Sequence, residues 1–260
     1  MRIVDPIAAL FLLLMTLPAF AQTCRLASAP VTRPLVELYT SEGCNSCPPA
    51  DRWLALQFPP TGANERAVAL AFHVDYWDRL GWVDRFGSAA NTERQYAAMR
   101  ANGGTFVYTP QVLLQGRDLP GWQDRGASAI AAAAGTPARA TIEVHLKPAG
   151  ALVTVQASAT IPDVALRRDA KLFIAYADGG LHSDVRDGEN RGVRLSHEHV
   201  VRSLQVFGPP DAQGRILAHA DVARPKEAGL APMLVAFVQR ASNGDVLQTL
   251  PVSIEGCGPG

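Results

Sequence analysis

The sequence predicts an α/β domain followed by an antiparallel β-sandwich. In the first half, segments of strand type alternate with segments of helix type, as they do in α/β domains. In the second half, apolar and polar residues alternate with a period of two, and turn residues separate the runs. The triplet Gly135-Thr136-Pro137 interrupts both patterns and predicts the boundary. We therefore expect one domain over residues 31–136 and a second over residues 138–255.

The first residues have the features of a secretory signal peptide. An apolar run extends from Ile7 to Leu17, and an Ala-x-Ala cleavage site ends at Ala21. The run of about 11 residues is too short for a membrane-spanning helix, which needs roughly 20. We expect residues 1–21 to be removed, no membrane span to remain, and the protein to be secreted or periplasmic. Acylation of Cys24 is the alternative.

The charge pattern excludes classes of protein that depend on a strong net charge. Lys plus Arg and Asp plus Glu number 24 each, so the formal net charge is zero. The longest basic run is Arg167-Arg168, and nucleic-acid binders need a larger basic surface. Hydrophobic residues make up 48% of the chain, enough for a core in each half. We expect no nucleic-acid partner.

The four cysteines fall into two kinds. Export would place them in an oxidising compartment, where disulfides form and persist. Cys24 and Cys257 stand near the ends of the mature chain, and chain termini are often close in space, so we predict a structural disulfide between them. Unpaired thiols are the alternative there. A four-cysteine zinc site is disfavoured, because it needs two close pairs and only Cys44 and Cys47 form one.

This Cys-x-x-Cys pair lies between a predicted strand and a predicted helix. Leu35–Thr40 is a short β-type run, and Pro48 and Pro49 fit only the first turn of a helix. The free N–H groups and positive dipole end of that helix would stabilise an accessible Cys44 thiolate. The spacing lets Cys47 resolve a mixed disulfide. An inert disulfide, or a metal held by both thiolates, is the alternative.

Polar and aromatic residues follow the next predicted strand. The apolar run 67–74 is typical of a strand covered on both faces. In a parallel arrangement its carboxyl end would lie beside the dithiol, where ligands bind in open α/β sheets. We expect four residues there to contact substrate, namely His73, Asp75, Tyr76 and Trp77. Glu37, on the strand before the dithiol, is interpreted either as a buried catalytic proton acceptor or as a polar residue of an edge strand.

The order of these features resembles the thioredoxin superfamily. A strand, a Cys-x-x-Cys helix, a strand and a helix are followed by Thr109-Pro110 before an edge strand. In that superfamily the Thr-Pro peptide is cis, packs against the dithiol and presents backbone to substrate. The resemblance therefore implies these roles for Thr109 and Pro110, and a thioredoxin-like fold for the first domain.

A closer resemblance covers nearly the whole mature chain. Four strings resemble the secreted bacterial proteins grouped as domain of unknown function 1223: VELYTSEGCNSCPPAD, LAFHVDYWDRLGW, VYTPQVLLQGR and GENRGVRLSHEHVVR. The strings are long and distinctive, and they occur in both halves of the chain. The resemblance implies an exported protein and supplies no substrate.

The second half has no recognisable nucleophile–base pair. His197 and His199 are two positions apart, so on a strand they would share a face and could chelate a metal, although a solvated strand edge is the alternative. The loop Gly188–Gly192 is interpreted as a docking surface for a partner or as an ordinary glycine-rich turn. The sequence predicts neither a bound metal nor a cofactor.

The sequence therefore predicts an exported thiol–disulfide oxidoreductase. Its partners would be protein thiols or disulfides and an unidentified redox partner. The direction of exchange is open, because reduction potential decides it. One alternative is a Cu(I) metallochaperone that uses Cys44, Cys47 and His73. The other is a non-catalytic partner-binding module in which the dithiol is a permanent bridge.

Overall fold

The computed structural model describes residues 24–59, 66–227 and 229–254. The predicted signal peptide and Cys257 lie outside these residues. The described strands are β1 (Cys24–Ala27), β2 (Leu35–Thr40), β3 (Val68–His73), β4 (Gln111–Leu114), β5 (Arg117–Asp118), β6 (Thr141–Ala149), β7 (Leu152–Thr160), β8 (Ala170–Gly179), β9 (Leu181–Asp184), β10 (Arg194–His197), β11 (Val200–Phe207), β12 (Arg215–Ala223), β13 (Leu230–Arg240) and β14 (Val246–Ser253). The described helices are α1 (Pro48–Gln57), α2 (Ala89–Ala101) and α3 (Trp122–Ala133), with short 3₁₀ turns at Asp78–Leu80 and Val164–Leu166. None of these helices is long and apolar enough to cross a membrane.

One mixed sheet extends through both halves of the chain. Its eight strands have the order β14-β13-β8-β11-β3-β2-β4-β5. Strands β2 and β3 are parallel, β4 is antiparallel to β2, and β11 from the second half joins β3, where Val200 pairs with Ala71. A second sheet has the order β1-β6-β7-β12, and β9 and β10 form a separate hairpin. The first half therefore shares its main sheet with the second.

Buried side chains cover both faces of the large sheet. On one face, α1 and α3 pack against Val36 and Leu38 of β2. On the other face, a single apolar cluster contains Phe72 from the first half and Phe237 from the second. The four-stranded sheet packs on the second-half strands, where alternate residues of β8 point to different clusters, as expected for a strand buried on both sides. The core is thus continuous across the predicted boundary.

The predicted fold class, a thioredoxin-like α/β domain plus an antiparallel β-sandwich domain, is wrong. Strands make up 42% of the structure and helices 19%, and the eight-stranded mixed sheet combines strands from both halves. The error has a physical reason. A run of apolar residues predicts that a strand is buried, but the run does not specify its neighbour. The bounds 31–136 and 138–255 stay a prediction.

Local predictions around the dithiol are confirmed. Helix α1 begins at Pro48, with Cys47 as its N-cap and two prolines in its first turn. Helix α2 begins after Ser88, whose side chain accepts a hydrogen bond from Asn91 N–H. The Thr109-Pro110 peptide bond is cis. Short-range chemistry therefore determines the elements that carry the site.

Candidate dithiol site

Cys44 and Cys47 form a disulfide at the start of α1. Backbone hydrogen bonds of 3.2 Å hold the turn, from Cys44 N–H to Ser41 O and from Cys47 N–H to Cys44 O. Ser46 Oγ lies 3.4 Å from Cys44 Sγ. Because the first N–H groups of a helix lack intrahelical partners, the disulfide lies at the positive end of the helix dipole.

Both cysteines are buried, whereas the sequence predicts an accessible Cys44. Cys44 and Cys47 are each 0% exposed. The two residues between them, Asn45 and Ser46, are exposed to solvent. A thiolate in solution therefore cannot reach either sulfur in this arrangement, and exchange requires an opening.

The cover comes from the second half. We define the cap hairpin as residues 181–197, comprising β9, β10 and the loop between them. Asn190 Nδ2 donates to the carbonyl oxygens of Glu42 at 2.8 Å and Cys44 at 3.0 Å. Glu189 Oε2 accepts a hydrogen bond of 3.1 Å from the backbone N–H that follows Cys44. The loop interpreted from sequence as a docking surface or a turn therefore contacts the dithiol turn directly.

Trp77 and Thr109 lie beside the same turn. Trp77 Nε1 donates to Thr109 Oγ1 at 2.8 Å, which joins the loop after β3 to the segment before β4. A Cβ atom on Gly43 would stand 3.1 Å from Trp77 Cβ, so the glycine permits the tryptophan to approach the residue before Cys44. Pro110 follows Thr109 through the cis peptide. Trp77 therefore connects the residue before Cys44 to the segment that contains the cis peptide.

Asp75 and Tyr76 contact α2. Thr92 Oγ1 donates to Asp75 Oδ1 at 2.6 Å, and the Tyr76 hydroxyl donates to Gln95 Oε1 at 3.2 Å. Both residues are half-buried. Their hydrogen bonds fix the loop after β3 to α2, and they supply no argument for substrate contact.

Glu37 lies on the face of β2 opposite α1. Helix α1 packs against Val36 and Leu38, and adjacent residues of a strand point to opposite faces. Glu37 Oε2 lies 2.7 Å from Arg94 Nη2 and accepts a hydrogen bond of 3.2 Å from the Tyr39 hydroxyl. It lines a groove of about 730 Å³ between α2 and the sheet. This placement does not support Glu37 as the proton acceptor of the dithiol.

Asp51 is the carboxyl group in the first turn of α1 after the dithiol, and sequence analysis does not select it. Its backbone N–H donates to Cys47 O at 3.2 Å, and its Oδ2 accepts a hydrogen bond of 3.2 Å from Thr40 Oγ1. Residues four apart on a helix share a face. Burial raises the pKa of the Asp51 carboxyl above its usual value, although His73 and His197 act in the opposite direction. Asp51 can therefore hold a proton one turn from the dithiol.

Two buried histidines are paired with buried carboxylates next to this residue. His73 Nδ1 lies 2.7 Å from Asp84 Oδ2, and His197 Nε2 lies 3.2 Å from Glu42 Oε1. The side chains in both pairs are at most 2% exposed. The imidazole ring centroids are 4.9 Å apart, with the ring planes at 81°. We call Glu42, Asp51, His73, Asp84 and His197 the acid–histidine cluster. His73 lies inside it and is buried, so substrate contact at His73 stays a prediction that, like attack on Cys44, requires an opening.

The two ion pairs influence the protonation of their members. Burial opposes ionisation of Asp84, but the charge and hydrogen bond of His73 outweigh burial and hold the pKa of Asp84 below its usual value. Burial likewise lowers the pKa of His73, but the negative charge of Asp84 reverses the effect and raises it. Burial opposes ionisation of Glu42, whereas polar contacts that include those with His197 and Trp82 keep its pKa low. The shifts of Asp84, His73 and Glu42 therefore each favour the charged form of that group.

His197 and His199 do not form a chelating pair. His199 has a φ of 58°, so the chain turns there and the two residues are not on one strand face. Its Nε2 lies 2.6 Å from Phe58 O. In the described part of the chain, no group of three or more His, Cys, Asp or Glu side chains is placed to hold a metal ion.

One feature of the sequence could have identified the residues that sequence analysis misses, because they lie in the strings that resemble a single family. Glu42 and Asp51 lie in the string that contains the dithiol, and Asn190 and His197 lie in the string from the second half. The strings meet in space around Cys44. Their co-occurrence in one resemblance, rather than their local pattern, could have pointed to a shared site.

The chain is similar to a family of proteins and to solved structures. The sequence profile of a family described as "Protein of unknown function (DUF1223)" matches residues 35–239. The crystal structure of protein AGR_C_4864 from Agrobacterium tumefaciens is similar, with a TM-score of 0.59 and 28% identity over 87% of this chain and 96% of that one. HBP35 of Porphyromonas gingivalis has a similar fold, with a TM-score of 0.61 and 14% identity over 89% of this chain and 78% of that one. No curated protein matches the chain. The matched segment includes the dithiol and the entire acid–histidine cluster.

Proposed function

The chain belongs to the DUF1223 family, and from the geometry of its own residues we propose that it is an exported thiol–disulfide oxidoreductase. Its partners are protein thiols or disulfides and an unidentified redox partner that resets its redox state. The observation that carries the proposal is the Cys44–Cys47 disulfide one helical turn from Asp51, a half-buried carboxyl group with a raised pKa. A bridge that served only to link two residues would need no proton-holding group beside it.

The exchange uses both sulfurs in turn. A substrate thiolate attacks Cys44 Sγ, the Cys44–Cys47 bond breaks, and its electron pair remains on Cys47 Sγ. The helix N-terminus stabilises that thiolate, and Asp51 gives it a proton. A second substrate thiolate then attacks the substrate sulfur of the mixed disulfide and releases Cys44. The substrate leaves with a disulfide, and the same steps in reverse reduce a substrate disulfide.

Access to the sulfurs depends on the cap hairpin. The hydrogen bonds from Asn190 and Glu189 to the dithiol turn are contacts with backbone atoms, so they hold the hairpin over whichever residues occupy the turn. Displacing the loop breaks only a few polar contacts, each worth about 1 kcal/mol net. We include this opening in the proposal, because a fully buried Cys44 has no other described route to a substrate.

Trapping of mixed disulfides tests the function. In a Cys47→Ser variant, Cys44 attacks a substrate disulfide but the resulting adduct has no resolving thiol. We expect adducts with exported proteins that disappear on reduction, detected by non-reducing electrophoresis and mass spectrometry. We also expect the wild-type pair to equilibrate with a chemical dithiol at a potential within the range of known exchange proteins.

The matched control is the Cys44→Ser/Cys47→Ser double variant, which retains Cys24. Adducts that persist in it do not arise from the dithiol. A reduction potential below about −300 mV, together with no Cys44-dependent adduct, would identify the bridge as structural and refute the proposal.

A further inference from the structure

The acid–histidine cluster contains more acids than bases. Its carboxyl groups are those of Glu42, Asp51 and Asp84, and its imidazoles are those of His73 and His197. Each imidazole lies within ion-pair distance of one carboxylate, at 2.7 Å and 3.2 Å. Asp51 is the carboxyl group left over, and a hydroxyl group is its hydrogen-bond donor. Two bases can neutralise only two of the three acids.

Burial gives this imbalance a consequence. Asp51 is half-buried, and poor access to water without a cationic partner disfavours a carboxylate, so such a group retains its proton more readily. The directions of the shifts agree with this accounting, since the pKa is lowered for Asp84 and Glu42 and raised for Asp51. The proton of the cluster therefore belongs on the carboxyl group nearest in sequence to Cys47.

A second observation concerns the imidazole nitrogens. His73 is 1% exposed and His197 is 3% exposed. Among the described residues, His73 Nε2 and both ring nitrogens of His197 have no hydrogen-bond partner, so the 3.2 Å contact of His197 Nε2 with Glu42 Oε1 is an ion-pair contact without hydrogen-bond geometry. Buried polar atoms of structural residues are almost always satisfied. An unsatisfied nitrogen in each ring lets the charge of the pair adjust without loss of an existing hydrogen bond.

We infer that the two histidines of the cluster are positioning residues for the dithiol. Because each lies within ion-pair distance of its own carboxylate, they leave Asp51 as the one carboxyl group of the cluster without an imidazole partner, and this group exchanges a proton with Cys47. The inference rests on the proposed function, to which it adds the residues that determine which carboxyl group carries the proton. One of the histidines, His197, belongs to the cap hairpin, so the site is incomplete without the second half of the chain.

The proton balance follows the exchange. When the disulfide opens, the electron pair of the S–S bond goes to Cys47 Sγ, and the proton of Asp51 follows it. Asp51 is then a carboxylate in a cluster with two imidazoles. When the disulfide reforms, the Cys47 thiol first returns its proton to Asp51; its thiolate then attacks Cys44 Sγ of the mixed disulfide, and the substrate sulfur leaves as a thiolate. The electrons come from the substrate thiols, and no other reductant is required.

Other charged groups face the cluster from neighbouring elements. Asp78, in the 3₁₀ turn, accepts a hydrogen bond of 3.1 Å from Asp84 N–H, and burial raises the pKa of its carboxyl. Phe86 packs against both imidazoles, with ring centroid distances of 5.3 Å and 5.6 Å. Arg85 and Arg202 lie over the Phe86 ring, at 4.5 Å and 5.3 Å. These groups stay constant in the variants below, so a change can be assigned to the pair that is altered.

The test is a pH titration of thiolate ultraviolet absorbance in the reduced protein, which needs no substrate and no access to the sulfur. A His197→Asn variant leaves Glu42 as an unneutralised carboxylate. We expect the midpoint of thiolate formation to rise by about one pH unit, because a nearby like charge opposes ionisation. A Glu42→Gln variant removes the negative charge instead and is expected to lower the midpoint. The Glu42→Gln/His197→Asn double variant is expected to return it close to the wild-type value.

The matched control is His182→Asn, which removes an exposed imidazole from the same hairpin and should leave the midpoint unchanged. If the histidine were purely structural, His197→Asn would lower stability, but the midpoint of thiolate formation would not shift in opposite directions in His197→Asn and Glu42→Gln. That result would overturn the inference. Should His197→Asn fail to fold, an unchanged midpoint in Glu42→Gln would overturn it as well. If the shifts appear while the trapping experiment yields no adducts, the proton coupling stands and the oxidoreductase proposal fails.

Discussion

Asp51 shows how one residue can be costly to the fold and useful to the site. The other two carboxylates of the cluster have imidazole partners, whereas Asp51 accepts a hydrogen bond from Thr40. Its raised pKa means that the folded state favours the protonated form more than the unfolded chain does. The free energy of folding is therefore less favourable at pH values where the unfolded chain has already lost this proton.

We expect an Asp51→Asn variant to be more stable than the wild type at neutral pH. Below the unfolded carboxyl pKa of about 3.9 both states bind the proton and no cost exists; the cost appears as pH rises above that value and is constant above the folded pKa. The gain at neutral pH should be on the order of 1 kcal/mol, measured by urea unfolding, and should vanish in acid. Formation of mixed disulfides through Cys44 should be slower in the same variant. A loss of stability at neutral pH would contradict the argument that Asp51 destabilises the folded state.

At the scale of elements, the sequence predicts the strand and helix around the dithiol because their signals are local. The proline pair requires the first turn of a helix. The apolar strand β2 ends at Thr40 and helix α1 begins at Pro48, so both signals lie in one short segment. The alternation of Ile216, Ala218, Ala220 and Val222 in β12 is equally local and was within reach of the same reasoning.

The cap hairpin could not be predicted in the same way. Its strands β9 and β10 have four residues each, and the hydrogen bond from Asn190 to Cys44 O joins residues 146 apart. Likewise, His197 lies in a strand whose periodicity suggests a solvated edge, whereas its ring is buried against His73. Tertiary contacts determine the cover of the site and the pairing of the histidines, and neither leaves a local pattern.

We expect an Asn190→Ala variant to be reduced faster by a small dithiol. The substitution removes two hydrogen bonds to the dithiol turn, worth about 2 kcal/mol together, which corresponds to a rate increase of roughly tenfold or more if opening limits access. The rate of disulfide reduction under excess reductant measures this effect. Arg191→Ala, at an exposed neighbouring position, is the matched control. Equal rates for both variants would show that the loop is not the barrier.

At the scale of the whole molecule, the main sheet makes the two halves interdependent. Ala71 of β3 donates a hydrogen bond of 2.8 Å to His199 O and pairs with Val200 of β11. Phe237, from the second half, belongs to the same apolar cluster as Phe72. Removing the second half would expose the edge of β3 and part of this cluster.

We therefore expect a fragment of residues 31–136 to lack the cooperative unfolding of the full chain. The fragment and the full chain are compared by limited proteolysis and by thermal unfolding monitored by circular dichroism, with the full chain as the reference. The cysteines of the fragment should react rapidly with a thiol reagent, because neither Asn190 nor His197 is present to cover the dithiol. A fragment that unfolds cooperatively and protects both cysteines would show that the first half is an independent unit.

The long separation between the dithiol and its cover also imposes an order on maturation. A chain is made from its N-terminus, so the two sulfurs emerge well before residue 190 exists to cover them. During that interval they are open to any oxidant or foreign thiol. Biogenesis is therefore the period in which this protein is most exposed to mispairing, and completion of its final strands ends that exposure.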